Sequence, residues 1–421
     1  MEVFAKITSI FDGPELPREL TVDGPMAWIV CFLVIISYAI LFGPSFALPL
    51  LFHDITEEFA VTYSDLAWLI PVYYFFAFSF GPFGKATINL LGLRLSQMLA
   101  TLIWTSSMLA AFFIKGLYTL IFFIAVLPGI SACIQVVAMT EVIIRYFDKH
   151  FSLAVALSTC GIGLGGFIFP PIIGFLASYN HWRSVIFLLG VCQLQSIVTG
   201  ASFGRPTPKT EVERIEESTL KENLLERICL NVPLLLLGFG TIFHLACNAI
   251  VASFLIPLAS LQGIDQSGCV RVGFCLGLGN CIGRIMYGLM LQLCKRVTGT
   301  SILSIGGLCM ALLSCCLPLF AGNLHMMSTY AFCYGFAAMA PVGLAPIYCG
   351  ELVRTEQIMT AFSINLVAQG IGFVIAAPIS NLLIALDETL FACFYYTGFA
   401  LFATFLFYSF PLYTVLFVRN K

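Results

Sequence analysis

Charge is what this sequence has least of. Aspartate, glutamate, lysine and arginine make up 10% of its 421 residues, against roughly 25% in an ordinary soluble domain. The 20 basic and 22 acidic residues nearly cancel, leaving a formal charge of −2. That balance excludes nucleic acid as a partner and a polybasic membrane-surface role. Metal-site spacing is missing as well. Most of the 16 cysteines sit inside apolar runs, as Cys309, Cys315 and Cys316 do, and read there as small hydrophobes. Cys269 falls in an expected outer loop, without an obvious loop partner. No Ser/His/Asp set, paired carboxylates or metal cluster stands at membrane depth, so no cofactor is implied and an enzyme is not expected. There is no Asn-x-Ser/Thr sequon either.

What is present is apolar. Sixty per cent of the chain is hydrophobic, more than a soluble fold of this length could bury. The runs are continuous rather than alternating in ten-residue pieces, which selects helices over a barrel. The fold class is therefore an all-α multi-pass membrane protein. Residues 1–25 are acidic and lack an apolar core before Pro25, so they read as a tail, with the first span an uncleaved signal anchor. Twelve apolar segments follow, at about 26–51, 66–91, 95–114, 118–144, 151–178, 183–203, 232–260, 270–293, 299–321, 326–350, 358–384 and 389–418. Each is near the roughly 20 residues a spanning helix needs.

Sixteen of the 20 lysines and arginines fall on one side of this arrangement, at both chain ends, at every second connection and in the central loop. The positive-inside rule makes that side, with both termini, cytoplasmic. The long polar stretch at 204–231, expected to hold a short amphipathic surface helix, divides a six-span bundle at 26–203 from another at 232–418, with 419–421 as a tail. Such a 6+6 arrangement with a cytoplasmic linker is that of the major facilitator superfamily, whose halves rock about a midplane site.

Two stretches narrow this further. Asp23-Gly24-Pro25-Met26-Ala27-Trp28 precedes the first span. Arg145-Tyr146-Phe147-Asp148-Lys149-His150-Phe151-Ser152-Leu153-Ala154 enters the fifth and runs on to Gly161 and Gly165. Both resemble the signature stretches of the monocarboxylate transporter family. Asn89, Gly92 and Arg94, the Trp182-Arg183 pair, and Arg284 with Tyr287 to Leu289 fit the family pattern in the same order. The resemblance implies a carrier of a small organic solute, working by alternating access, most naturally at the plasma membrane. It also implies a single-span glycoprotein as an ancillary partner. Two positions depart from proton-coupled members: Phe46 stands where they have a lysine, and Asn280 where they have an aspartate. Those departures imply transport with weak or no dependence on a proton gradient.

Arg284 is the one charge in the run from Val272 to Leu293. Burying it mid-membrane costs about 2.5–3.5 kcal/mol on insertion scales, so it is expected to serve function. With Asn280 one turn before it, its guanidinium suits a solute carboxylate. The alternative is a helix-locking pair with Glu141 or Glu351. Ser45 and Phe46 are expected at the cavity wall. His244 and Asn248 share a face of the seventh span, where they line the cavity or bond neighbouring helices, the second being favoured. Asn365 and Gln369 have the same spacing, with no preference between these roles. Glu141 with Arg145, Glu351 beside Arg354, and Asp23 with Lys149 are candidate gating or coupling groups, though a local ion pair at a helix end is the favoured reading of the first. Gly161, Gly163, Gly165, Gly166 and Pro170-Pro171 are expected to break up the fifth span. A receptor-like protein on a carrier fold is the competing reading.

Overall fold

The computed structural model describes residues 15–16, 22–61, 66, 68–179, 181–206, 231–294, 296–338, 340–354, 357–386, 390–413 and 415. Most of the polar stretch at 204–231, the outer part of the N-terminal tail and the tail at 419–421 lie outside them, and so does the expected surface helix. The described chain is helical, apart from a two-residue parallel pairing of Glu15–Leu16 with Arg205–Pro206.

The apolar runs form the helices, and their ends follow local chemistry. Helix α1 is Pro25–Ala47, with proline at its first position, where no N–H is needed. Asp23 precedes it at φ 53°, a left-handed conformation that aspartate tolerates better than most residues. After the short α2 (Phe52–Phe59) come α3 (Leu69–Ser79), α4 (Gly81–Leu91) and α5 (Leu93–Ala111). A π-helical turn, Phe122–Val126, leads into α6 (Leu127–Tyr146). Helix α7 (Phe151–Tyr179) is one continuous helix through Pro170 and Pro171. The expected break is absent because packed neighbours hold a proline-bearing membrane helix together. Then come α8 (Trp182–Gln193) and α9 (Gln195–Ser202).

The second half of the chain starts with α10 (Val232–Leu261), capped by the Asn231 side chain, and α11 (Gln266–Leu293), capped by Asp265. A Thr298–Ser301 capping box opens α12 (Gly299–Cys316). It is followed by α13 (Leu324–Ala338), the single turn α14 (Ala340–Gly343) and α15 (Ala345–Leu352). The last two are α16 (Ile358–Leu386) and α17 (Phe391–Tyr413). Nine helices among the described residues are long and apolar enough to cross a membrane, or ten if the bent pair Leu324–Gly343 and Ala345–Leu352 counts as one. The consecutive α3 and α4, and α5, lie at the remaining expected places.

Glycine sets how closely helices approach. A Cβ on Gly161 would lie 2.1 Å from the Ile35 carbonyl oxygen, so α7 and α1 meet backbone to backbone. In the second half a Cβ on Gly279 would lie 2.1 Å from the Phe332 oxygen, and α11 meets α13 in the same way. Two seams then join the halves: α7 runs along α11, and α3 with α4 runs along α16. Arg284 and Asn280 lie on the first of these seams.

Candidate functional site

Helix α11 puts Arg284 nine residues before its end at Leu293, about 13 Å from that end and close to half a hydrocarbon core. The side chain is 2% exposed. Its Nε donates to Asn280 Oδ1 at 3.1 Å, so the expected pair on one helical face exists. A Cβ on Gly343 would lie 3.0 Å from Arg284 Nη1 and 3.3 Å from Thr159 Oγ1. The guanidinium thus reaches α14 and, through Thr159, the α7 face. Tyr38, Tyr74, Cys160 and Cys281 are within its electrostatic reach.

The two carboxylates expected as alternative partners are occupied elsewhere. Glu141 accepts from Lys85 Nζ at 2.9 Å and from Arg145 Nη2. Glu351 caps the start of α12, accepting from the Gly299 N–H, and from Thr300 N–H and Oγ1 at 3.0 Å each. That places its charge at a helix N-terminus, where the peptide dipoles favour an anion.

Beside this group both halves of the chain line one cavity. Tyr38, Thr140 and Thr159 come from α1, α6 and α7; Val342, Phe362 and Gln369 come from α14 and α16. The space is about 20 Å³, room for about one water and none for an organic solute. Tyr38 hydrogen-bonds Thr140 at 3.2 Å. Gln369 is fully buried, and its Oε1 has no hydrogen-bond partner among the described residues. An aromatic column leads away from this space. Phe42 stacks on Tyr38 at 6.2 Å, on Phe78 at 5.7 Å and on Tyr74 at 5.9 Å. Tyr74 in turn stacks on Phe373 of α16 at 4.6 Å, across the seam.

The remaining expected residues are spread out. Ser45 bonds the Phe42 carbonyl at 2.6 Å and the Tyr74 hydroxyl at 2.7 Å, so it steadies the aromatic column. Phe46 is 41% exposed, with its ring against Gly166 of α7. His244 is buried against Tyr408, ring centroids 6.0 Å apart. The Ala338 carbonyl is near it, but neither ring nitrogen makes a well-formed hydrogen bond among the described residues. Asn248 donates to that same carbonyl at 3.3 Å. Asn248 thus bonds α10 to α13, while His244 packs against Tyr408 of α17.

The groups expected to gate are mostly staples within one half. The Asp23 carboxylate accepts from the backbone N–H of Asp148 (3.3 Å), Lys149 (2.9 Å) and His150 (3.2 Å). Burial works against its charge, but those three donors outweigh it and hold its pKa below the ordinary aspartate value. At the opposite end, burial is likewise outweighed at Glu58. Hydrogen bonds from Arg183 and Trp182 hold its pKa low and tie α2 to α8. A hydrogen-bonded contact between halves at the basic face comes from Gln292, which the sequence did not single out. Gln292 Nε2 lies 3.2 Å from the Lys149 carbonyl oxygen and 3.2 Å from His150 Nδ1. Tyr38, Thr159 and Gly343 were missed too; a hydroxyl or glycine inside an apolar run leaves no signal until its neighbours are known.

A family model described as Major Facilitator Superfamily matches residues 28–377. The chain belongs to this superfamily. Among its curated relatives, Monocarboxylate transporter 12 of Mus musculus is 22% identical over 415 residues, covering 90% of this chain and 84% of that protein. Monocarboxylate transporter 6 of Homo sapiens is 21% identical over 404 residues, covering 91% and 80%. The superfamily fold is also that of the human organic anion transporter MFSD10 (TETRAN). That crystal structure matches at a TM-score of 0.72 and 14% identity, over 91% of this chain and all of the other. The resemblance read from the signature stretches thus holds, and the chain is a multi-pass membrane protein of the transporter superfamily.

Proposed function

We propose that the protein carries a small organic solute bearing one carboxylate, a monocarboxylate or an aromatic, amino-acid-like compound, by alternating access. The observation that bears most weight is Arg284: a guanidinium buried mid-span, on a seam between the halves, beside a cavity that both halves line. The bundles at 26–203 and 232–418, joined by 204–231, rock about this point with the chain ends cytoplasmic. Arg284 takes the carboxylate with Asn280 as a second polar contact, and the open Gln369 Oε1 receives an N–H of the solute. Tyr74 and Phe373 pack against its apolar body. The cavity as it stands is too small for that solute, and Gln292 bonds the halves at the basic face. The arrangement is therefore one in which the basic side is shut. The curated relatives, named as monocarboxylate transporters, support the solute class, and a plasma-membrane site with an ancillary single-span glycoprotein belongs to the same reading.

Proton coupling is weak on this reading. Asn280 holds no proton, and His244 lies away from the cavity lining. Carriage of an anion is then electrogenic. Counterflow in proteoliposomes against a panel of monocarboxylates and aromatic amino acids, at pH 5.5 and 7.5, tests it. Saturable flux with little pH dependence is expected. No flux with any panel member would sink the solute class, and steep acid stimulation would sink the coupling.

A further inference from the structure

The seam between α7 and α11 holds a pair of groups that solute binding does not use. Cys160 Sγ and Cys281 Sγ are 3.2 Å apart, one from each half of the chain, and Cys160 Sγ also lies 3.9 Å from the Cys281 carbonyl oxygen. The backbones are close here: a Cβ on Gly163 would lie 3.0 Å from Cys281 Cα. Cys160 is buried and Cys281 half-buried. Cys160 adjoins Ser158 and Thr159 of the cavity wall, Cys281 follows Asn280, and Arg284 is within electrostatic reach of both sulfurs. Hydrophobic packing alone does not require two thiols facing each other across a moving seam.

We propose that Cys160 and Cys281 are a reversible disulfide site, oxidised by hydrogen peroxide and reduced by a small thiol, that stitches the two halves together beside Arg284. One cysteine sulfur attacks a peroxide oxygen, the O–O bond breaks, and water leaves behind a sulfenic acid. The facing thiol attacks that sulfur, the S–S bond forms and a second water leaves. Two thiols lose two electrons in all, and one peroxide becomes two waters. A disulfide has a sulfur separation of about 2.05 Å, so the pair closes by about 1 Å. Exchange with two small thiols restores the reduced pair. The bond holds α7 on α11 in the arrangement seen here, with the basic side shut. The bond itself is independent of which solute is carried; only its effect on motion rests on the rocking of the halves.

The test uses the full-length protein with a protease site inserted between residues 204 and 231. After hydrogen peroxide and cleavage, the halves should stay together on a non-reducing gel and separate with dithiothreitol. Mass spectrometry of the uncut wild type should find the Cys160–Cys281 linked peptide. Cys160→Ala and Cys281→Ala should each abolish the link. Halves that separate after peroxide, or that stay linked in both variants, overturn the site. Hydrogen exchange of the 147–150 turn, which Gln292 contacts, should slow several-fold in the oxidised wild type and stay unchanged in Cys160→Ala. A link that forms without slowing exchange overturns the stitching role while leaving the solute reading untouched.

Discussion

Two charges are buried almost equally, and they teach opposite lessons. Glu141 is 3% exposed and Arg284 2%. Glu141 lies near the end of α6 and is gripped by Lys85 and Arg145, whose side chains are 23% and 48% exposed. All three belong to the first half of the chain, and both cations reach toward water. The cluster closes on itself and resembles an anchor for helix ends. Arg284 instead sits at mid-depth on a seam between halves, on a shelf of Asn280, Gly343 and Thr159, next to shared space. Burial alone therefore does not separate a closed anchor from a charge facing the seam between halves; the elements each charge connects do.

The contrast is sharpest in the effect of removing each charge. Arg284→Ala should abolish uptake, a loss of at least about a hundredfold, or about 2.8 kcal/mol by the tenfold-per-1.4 rule. The thermal midpoint in detergent should fall by less than in Glu141→Gln, because the partner left behind at Asn280 is a neutral amide rather than an unpaired charge. Arg284→Lys keeps the charge without the planar fork and should still lose about tenfold. Uptake that survives Arg284→Ala, with a collapse in stability, would put Arg284 in the same class as Glu141.

Glu141→Gln should do the reverse. Breaking a fully buried pair costs about 3–5 kcal/mol, and the exposure of both cations here reduces that to about 2 kcal/mol. A lower thermal midpoint is expected, with the apparent affinity for solute retained in the protein that remains folded. Lost affinity at an unchanged midpoint would break the comparison from the other side.

How much of this the sequence disclosed depended on range. Apolar run length located the helices because spanning needs about 20 residues whatever the neighbours. It also isolated Arg284, since one charge in an apolar run is conspicuous by itself. The i, i+4 rule linked Asn280 to Arg284, a contact within one helix. Contacts between helices were not legible. Sequence put Glu351 next to Arg354, but gave no sign that its carboxylate caps α12, 51 residues away in sequence at Thr300. Gly343 and Thr159 became parts of the site only when α14 and α7 were brought against α11. Proline misled for the same reason: Pro170 and Pro171 break an isolated helix, but α7 is packed on both sides.

A smaller effect is expected at the basic face, where Gln292 gives the link between halves that neither Glu141 nor Asp23 makes. Gln292→Ala removes contacts to the Lys149 carbonyl and His150, together worth about 1 kcal/mol at this exposed position. Hydrogen exchange of the 147–150 turn should speed up by roughly fivefold, in line with that magnitude. Unchanged exchange would mean that helix packing, rather than Gln292, keeps this side shut.

The smallest effect concerns Asp23, a charge of the anchoring kind on the same turn. Its folded pKa is depressed below the unfolded value of about 3.9. Its contribution is therefore complete above that value and disappears as pH falls through the folded one. Trp28 reports on the turn, since its ring meets Phe147 at 4.9 Å and His150 at 6.0 Å. The Trp28 emission, taken as wild type minus Trp28→Phe, should show an acid step below about 4. In Asp23→Asn, an amide accepts the backbone N–H groups less strongly at every pH, and the acid step should vanish. His150 faces the same turn in both chains, so the difference between them isolates the Asp23 carboxylate. An acid step that persists in Asp23→Asn would assign it to another group, and the turn would then be held by Tyr146, whose carbonyl accepts the Asp23 N–H at 2.9 Å.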